Sequence, residues 1–340
     1  MNSNTILHQP LSRLFFILIL TLSGCFSCIS NTDAADLNTA SHKAEKKLVY
    51  LVSDLRIPFW EIMWRGMKSR AASLGYGVEV YSAENSAKRE LEFTVRALKE
   101  GVSGIIVSPT NSSACTTILK FAKSAGVPVV IADIGTDGGE YISYISSDNR
   151  DGAYRLGRIL AKTLSDAGWR NGRVGIIAIP QMRENGRART AGFMQAMDEA
   201  GIKGADIKQQ VTFSYRETYD YSKEMIEKTP DLRAIWLQGS DRYQGALDAI
   251  ADARKTGEIL LISFDAEPIF LDLIPQGVLV GAAMQQPYLM GEEAVMSMHR
   301  HLNGEAVEKE RRLPILAISQ ENIDEKLPLI RRNVLGIENQ

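Results

Sequence analysis

The sequence predicts an α/β protein of two doubly wound parallel-sheet domains, and three observations carry the prediction. Short apolar runs of Val, Ile and Leu alternate with helix-length amphipathic segments from about residue 47 onward. Near-continuous runs of that size are what parallel strands covered on both faces look like. The series pauses at "SYISSDNRDGAYRLG" and then begins again, and two successive βα series imply two domains. The composition agrees: 340 residues, 45% hydrophobic and 24% charged, describe a globular chain long enough for two cores.

The N-terminus reads as a targeting segment rather than as part of the fold. "MNSNTILHQPLSR" supplies a modest n-region with one Arg, "LFFILILTL" a short apolar h-region, and "LSGC" follows at once. The h-region is too short for a stable membrane span. Leu22-Ser23-Gly24-Cys25 resembles a bacterial lipobox, which makes 1–24 a lipoprotein-type signal peptide and Cys25 the lipidated first residue. Ordinary cleavage farther on, near "TDAAD", is the alternative, and it gives a soluble periplasmic protein. The stretch 25–46 is rich in Ser, Asn, Thr, Ala and Asp and reads as a flexible tether. With Cys28 in the tether and Cys115 alone in a helical pattern as a small core hydrophobe, no disulfide framework is implied.

In the first series the expected strands are "KLVYLVS", "GVEVYSA", "GIIVSP" and "PVVIAD", separated by helices such as "AKRELEFTVRALKEG". The helix after the first strand carries Phe59, Met63, Met67, Ala71 and Leu74 on one stripe. In the second series the strands are "RVGIIAI", "IKQQVTF", "RAIWLQG", "ILLISFD" and "LVGAAMQQ".

Ligands of open α/β sheets sit outside the carboxyl ends of the strands. The residues there are unusually polar and aromatic: Ser53-Asp54, Ser108 to Asn111, Asp133, Phe213 with Tyr215, Gln238 to Asp241, Asp265, and Gln285-Gln286. Aromatic faces stack on flat, weakly polar rings, and carboxylates, amides and guanidinium groups pair with hydroxyls at ring edges. A sugar presents both. Phe59 serves equally as a stacking wall or as the first core residue of its helix, whereas Trp60, one residue off the stripe, points to a ligand.

Other function classes are poorly served. The formal net charge is −2, with Lys plus Arg at 39 against Asp plus Glu at 41, so no basic face for nucleic acid is indicated. There is no GxGxxG after a strand, no GxxxxGK[ST] loop and no GxSxG elbow, so neither a cofactor nor an enzyme is expected. His299 and His301 stand at i, i+2 on a helix, where they cannot share a metal.

The segment "LVSDLRIPFWEIMWRGMKSRAASLGYGVEVYSAENSAKRELEFTVRALKEGVSGIIVSPTNSSA" is similar to the first domain of ribose- and galactose-type periplasmic binding proteins. These are type I binding proteins related to the ligand-binding half of LacI-like repressors. "GVPVVIADIG", "YISSDNRDGAYRLG", "RENGRARTAGF", "LLISFDAEP" and "GAAMQQPYLMGEEAV" extend the likeness from about Lys47 to about Ser319. The resemblance implies the type I periplasmic binding protein fold with a three-strand hinge. It divides the chain into an N-terminal domain, 47–147 plus 286–314, and a C-terminal domain, 148–285 plus 315–340, with hinges near Ser147, Asp265 and Gln285. It also implies ligand-binding roles for Ser53, Phe59, Trp60, Asp133, Arg187, Phe213, Asp265 and Gln285. The chain departs from the pattern at Ile57, Ile134 and Gly239, where polar side chains are usual, with Arg56, Asp241 and Arg242 nearby to compensate.

The expected protein is a monomeric solute-binding protein of the periplasm, touching the membrane only through a lipid anchor. It captures a sugar-like ligand by hinge closure and delivers it to an ABC transporter permease. The alternative partner is a membrane histidine kinase or chemoreceptor that reads the closed form.

Overall fold

The computed structural model describes residues 46–337; the leader, Cys25 and the tether up to residue 45 lie outside them. The first lobe is built by β1 (Lys46–Val52), α1 (Pro58–Ser73), β2 (Tyr76–Ser82), α2 (Ala87–Lys99), β3 (Gly104–Ser108), α3 (Ser112–Ser124), β4 (Val129–Ala132) and β5 (Ser143–Ser147). The second begins with α4 (Asn149–Asp166) and continues with β6 (Arg173–Ala178), α5 (Glu184–Ala200), β7 (Lys203–Gln209) and α6 (Tyr215–Lys228). It then runs through β8 (Leu232–Leu237), α7 (Tyr243–Asp252), β9 (Leu260–Phe264), α8 (Phe270–Leu273) and β10 (Gly281–Met284). The chain closes with α9 (Pro287–Leu302), β11 (Glu310–Leu313), β12 (Leu316–Ser319), α10 (Ile323–Leu329) and a π-helical turn, Ile330–Val334.

Two six-stranded sheets result, ordered β11-β5-β4-β3-β1-β2 and β12-β10-β9-β8-β6-β7. Every pairing is parallel except β10 with β12. In each sheet the order reverses beside the first strand of the series, β1 or β6. A crevice therefore opens at the carboxyl ends there, the usual ligand position in such folds. The central strands earn their places by burial: Leu48 to Val52 and Ile105 to Val107 are almost wholly inaccessible. Helix starts are fixed by side chains that accept a backbone N–H of the first turn: Ser86 from Arg89, Asn111 from Ala114, Asp148 from Asp151 and Ser214 from Glu217.

Between the sheets the chain crosses at three places: from Ser147 into α4, from Met284 into α9, and from Leu313 through Pro314 to β12. The expected hinge at Asp265 is corrected. After β9 the chain stays in the second lobe, because Phe270 of α8 is buried in the same core as Leu261, Ala282 and Ile318. The return of α9 to the first lobe is locked by close backbone contact with α1. A Cβ on Gly66 would stand 2.1 Å from the Tyr288 carbonyl oxygen, and one on Gly291 would stand 2.1 Å from that of Met63. Only glycine permits that approach. Cys115 is a fully buried free thiol in the core of α3, its pKa pushed up to about 12 by burial.

Candidate ligand-binding site

The carboxyl ends of both sheets face one cavity. Residues following β1, β4, β6, β7, β8, β9 and β10 all reach it, among them Ile57, Phe59, Trp60, Asp133, Arg183, Asn185, Arg189, Phe213, Gly239, Asp265 and Gln285. It offers about 60 Å³ to the centres of water molecules. One ordered water needs roughly 10–15 Å³ on that measure, so the cavity has room for a few.

Two aspartates occupy matching positions in the two lobes. Asp133 follows β4 and donates its N–H to the Ile145 carbonyl in β5; Asp265 follows β9 and donates its N–H to the Ala283 carbonyl in β10, both at 2.9 Å. Both adopt left-handed backbone, with φ of +69° and +67°, and Phe213 does so at +53°. Three non-glycine residues held in that region around one cavity are a local cost that the surrounding sheet bonds sustain.

Each carboxylate is held by donors. Trp60 Nε1 donates to Asp133 Oδ2 at 3.0 Å and Asn185 Nδ2 to Oδ1 at 3.4 Å. Gln285 Nε2 donates to Asp265 Oδ1 at 2.7 Å, and Arg189 Nη1 lies 3.3 Å from Oδ2. Burial pushes the Asp133 pKa up to about 6, against the pull of Arg189, the Trp60 N–H and Arg183 and with the push of Asp265. Asp265 is raised for the same first reason, opposed by Arg189 and Gln285. Arg189 also donates from Nε to Asn149 Oδ1 at 2.8 Å and from Nη1 to the Gln238 carbonyl at 2.6 Å.

Arg183, just before α5, reaches from the second lobe into the first. Its Nε donates to the Thr110 carbonyl at 3.3 Å and its Nη2 to Asn85 Oδ1 at 3.4 Å. The guanidinium carbon lies 5.5 Å from the Trp60 ring centre and 5.6 Å from that of Phe213, within cation–π range of both. Tyr144 Oη lies 2.9 Å from the Asp133 carbonyl and 3.2 Å from Glu184 Oε2, so its single proton is shared between a bond within the first lobe and one between lobes.

Of the residues proposed from sequence, Phe59, Trp60, Asp133, Phe213, Asp265 and Gln285 line this cavity. Ser53 and Arg187 do not. Ser53 is fully buried behind it and donates to Asn85 Oδ1 at 2.8 Å, so it orients the amide that meets Arg183. Arg187 is exposed, and its Nη1 bonds the Gln181 carbonyl at 3.2 Å in a separate hollow. The guanidinium at the cavity belongs to Arg189, two residues on and about 200° around the helix. The signal that separates them is the buried stripe Arg189, Phe193, Ala196 and Met197, which Arg187 does not share.

Other expectations also shift. Trp60, not Phe59, begins the buried stripe of α1 with Met63, Met67 and Ala71, while its indole nitrogen still meets Asp133. Ile57 and Gly239 line the cavity, but Ile134 is fully buried in the first-lobe core. Arg56 does not compensate for them: it is mostly exposed and forms a bidentate pair with Asp54, at 2.8 and 2.6 Å. Arg242 sits behind Phe213, donating to its carbonyl. Arg183, Gln210 and Glu267 were not singled out from sequence, because loop residues carry no periodicity; nor was Asn185, in the first turn of α5 on the same buried face as Arg189. Among the described residues no cluster of His, Cys, Asp and Glu could hold a metal, and no helix is long and apolar enough to cross a membrane.

A two-lobed α/β chain that closes a polar and aromatic cavity between its sheets has the architecture of a binding protein. The model of the periplasmic binding protein domain family matches residues 48–306, and the chain belongs to that family. Among its relatives, the ribose import binding protein of Haemophilus influenzae is 28% identical over 286 residues, 83% of this chain and 94% of that one. That of Escherichia coli is 27% identical over 270 residues, 79% and 89% of the two chains. These relatives are import binding proteins rather than enzymes, as the lack of catalytic motifs led us to expect. A solved carbohydrate transporter solute-binding protein from Agrobacterium radiobacter in complex with D-arabinose superimposes with a TM-score of 0.79 at 22% identity, covering 86% of this chain and 99% of that one. An ABC transporter periplasmic solute-binding protein from Actinobacillus succinogenes with bound D-allose gives 0.77 at 20% identity, covering 83% and 100%. At such identities the likeness concerns the fold.

Proposed function

We propose that this protein is a periplasmic solute-binding protein that captures one monosaccharide-sized sugar or sugar derivative between its lobes and presents it to an ABC importer. One observation carries the reading: Phe59, Trp60 and Phe213 bring aromatic rings to the same cavity that Asp133, Asp265, Gln285 and Arg189 line with hydrogen-bonding groups. Family membership and the sugar-binding relatives support it. The domain bounds 47–147 with 286–314 and 148–285 with 315–340 belong to this reading, as do the monomeric state and a lipid anchor at Cys25. Receptor signalling through a sensor kinase or chemoreceptor is the rival use of the same closure.

A thermal-shift screen of the full chain against pentoses, hexoses, polyols and sugar acids tests the proposal. A ligand at about 100 times its dissociation constant stabilises by about 2.7 kcal/mol, a clear rise in the melting midpoint. If no sugar, polyol or sugar acid moves the midpoint, the reading fails. Reconstituted uptake with a permease, against stimulation of a kinase, separates the two partners.

A further inference from the structure

Two arginines reach the cavity, and their surroundings differ. Arg189 is paired with Asp265 and spends further donors on Asn149 and Gln238. Arg183 is only 6% exposed, yet it forms no ion pair among the described residues. Its two bonds, at 3.3 and 3.4 Å, go to a backbone carbonyl and a side-chain amide, and Nη1 has no partner among the described residues. Burial accordingly pulls its pKa down to about 10. Two first-lobe carboxylates act on it only at a distance: Asp133, the stronger, is already held by Trp60 and Asn185, and Glu90, the weaker, has Oε1 taken by the Thr110 N–H at 2.8 Å and its pKa raised to about 7 by its own burial. A guanidinium removed from water without an anion is costly, and a carboxylate fits its fork with two parallel bonds.

Resting on the sugar-binding reading above, we infer that the cavity selects a sugar acid: a polyhydroxy compound whose carboxylate pairs with Arg183 while its hydroxyls meet Asp133, Asp265 and Gln285. The like charge of the two aspartates turns the acid end away from them. Gln285 Oε1, buried and without a donor, is an acceptor that a ligand hydroxyl satisfies. The aromatic rings flanking Arg183 exclude water from the ion pair and so strengthen it. The same contact ties ligand to closure, because Arg183 belongs to the second lobe and its bonding partners Thr110 and Asn85 to the first.

The test is calorimetry on the full chain and on Arg183→Gln and Arg183→Lys, using D-galactose against D-galacturonate, D-ribose against D-ribonate, and D-ribose 5-phosphate. In the unmodified protein one acid should bind about ten- to a hundred-fold more tightly than its neutral partner, the equivalent of one charged hydrogen bond. Arg183→Gln should erase that ratio, and Arg183→Lys, which keeps the charge and loses the fork, should retain part of it. Melting midpoints establish that the variants fold; where one does not, the ratio in the unmodified protein decides. Neutral sugars bound as tightly as the acids, a preference that survives in folded Arg183→Gln, or the phosphate bound tightest would each overturn the inference. Neutral sugars binding while acids do not sinks this inference and leaves the sugar-binding reading standing, whereas no binding by either class sinks both.

Discussion

Arg189 stands at the meeting point of the second-lobe strands, with Asn149, the Gln238 carbonyl and Asp265 all depending on it. Arg189→Ala leaves the largely buried Asp265 without its cation, and breaking one side of a fully buried pair typically costs about 3–5 kcal/mol, an upper bound here because the carboxylate keeps 15% of its exposure. Loss of sugar binding together with a lower melting midpoint is the expected outcome. Arg187→Ala, on the opposite side of the same helix, should change neither by more than about 0.5 kcal/mol, as for surface substitutions generally. A calorimetric comparison of the two variants settles which arginine serves the site. Trp60→Phe keeps a ring and removes one donor from Asp133; affinity should fall by about 1–2 kcal/mol with the fold intact. Residue identity at strand ends was legible because polar and aromatic side chains after a buried apolar run have few reasons to be there. The choice between two arginines was not, since it depends on which face of α5 meets the sheet. Loop residues such as Arg183 and Gln210 have no period to betray their direction.

The strands of the two series were legible as elements because burial on both faces requires continuous apolar runs. Three strands gave no such signal. β5 carries three serines, and β11 ("ERRL") and β12 ("LAIS") are four-residue segments of the crossing region or the sheet edges. β7 ends at Gln209, before the stretch "VTF" that extends the apolar pattern, because Phe213 turns into left-handed backbone toward the cavity. The packing of α1 on α9 is a contact between distant segments that only the fold discloses. Gly66→Ala or Gly291→Ala forces a methyl group against a backbone carbonyl, and overpacking of this kind costs about 1–3 kcal/mol or more; a chemical denaturation midpoint lowered without a change in sugar preference is expected. On α2, Glu90 is buried with Oε2 unpartnered and a pKa raised to about 7. Its protonated form is the one the folded state favours. Its contribution to stability is therefore fully present below the unfolded carboxylate pKa and is lost as pH rises through about 7. Glu90→Gln should flatten the decline in melting midpoint between about pH 5 and 8, and an unchanged slope would assign that decline to Asp133 and other buried acids instead.

At the scale of the whole molecule, two independently cored lobes are joined by three crossings, so relative motion requires rearrangement of only a few residues near Ser147, Met284 and Pro314. The resemblance also placed a hinge at Asp265, but that strand-end residue faces the cavity without a change of lobe, and the third crossing falls at Pro314. The anchor proposed at Cys25 has its own check: mass spectrometry should find an acylated N-terminal Cys25, and Cys25→Ser should release the protein into the soluble fraction. Closure is where site and fold meet. A ligand that contacts both lobes binds the closed form better, and it shifts the population by that difference alone. Any bond between lobes that lies outside the cavity must then raise the affinity for every ligand by a common factor. The Tyr144–Glu184 bond is of that kind, since neither residue lines the cavity. Glu184→Ala removes the exposed acceptor and leaves the Tyr144 hydroxyl its bond to the Asp133 carbonyl. Dissociation constants should rise by a common factor of about two to ten for all sugars tested, with their ranking preserved, as expected for one partly exposed hydrogen bond. Small-angle scattering of the same variant should show the ligand-driven decrease in radius of gyration displaced to higher sugar concentration by that factor. A variant that reorders the sugars would place Glu184 in contact with the ligand, and one that leaves every constant unchanged would show that closure is held by the cavity residues and Arg183 alone.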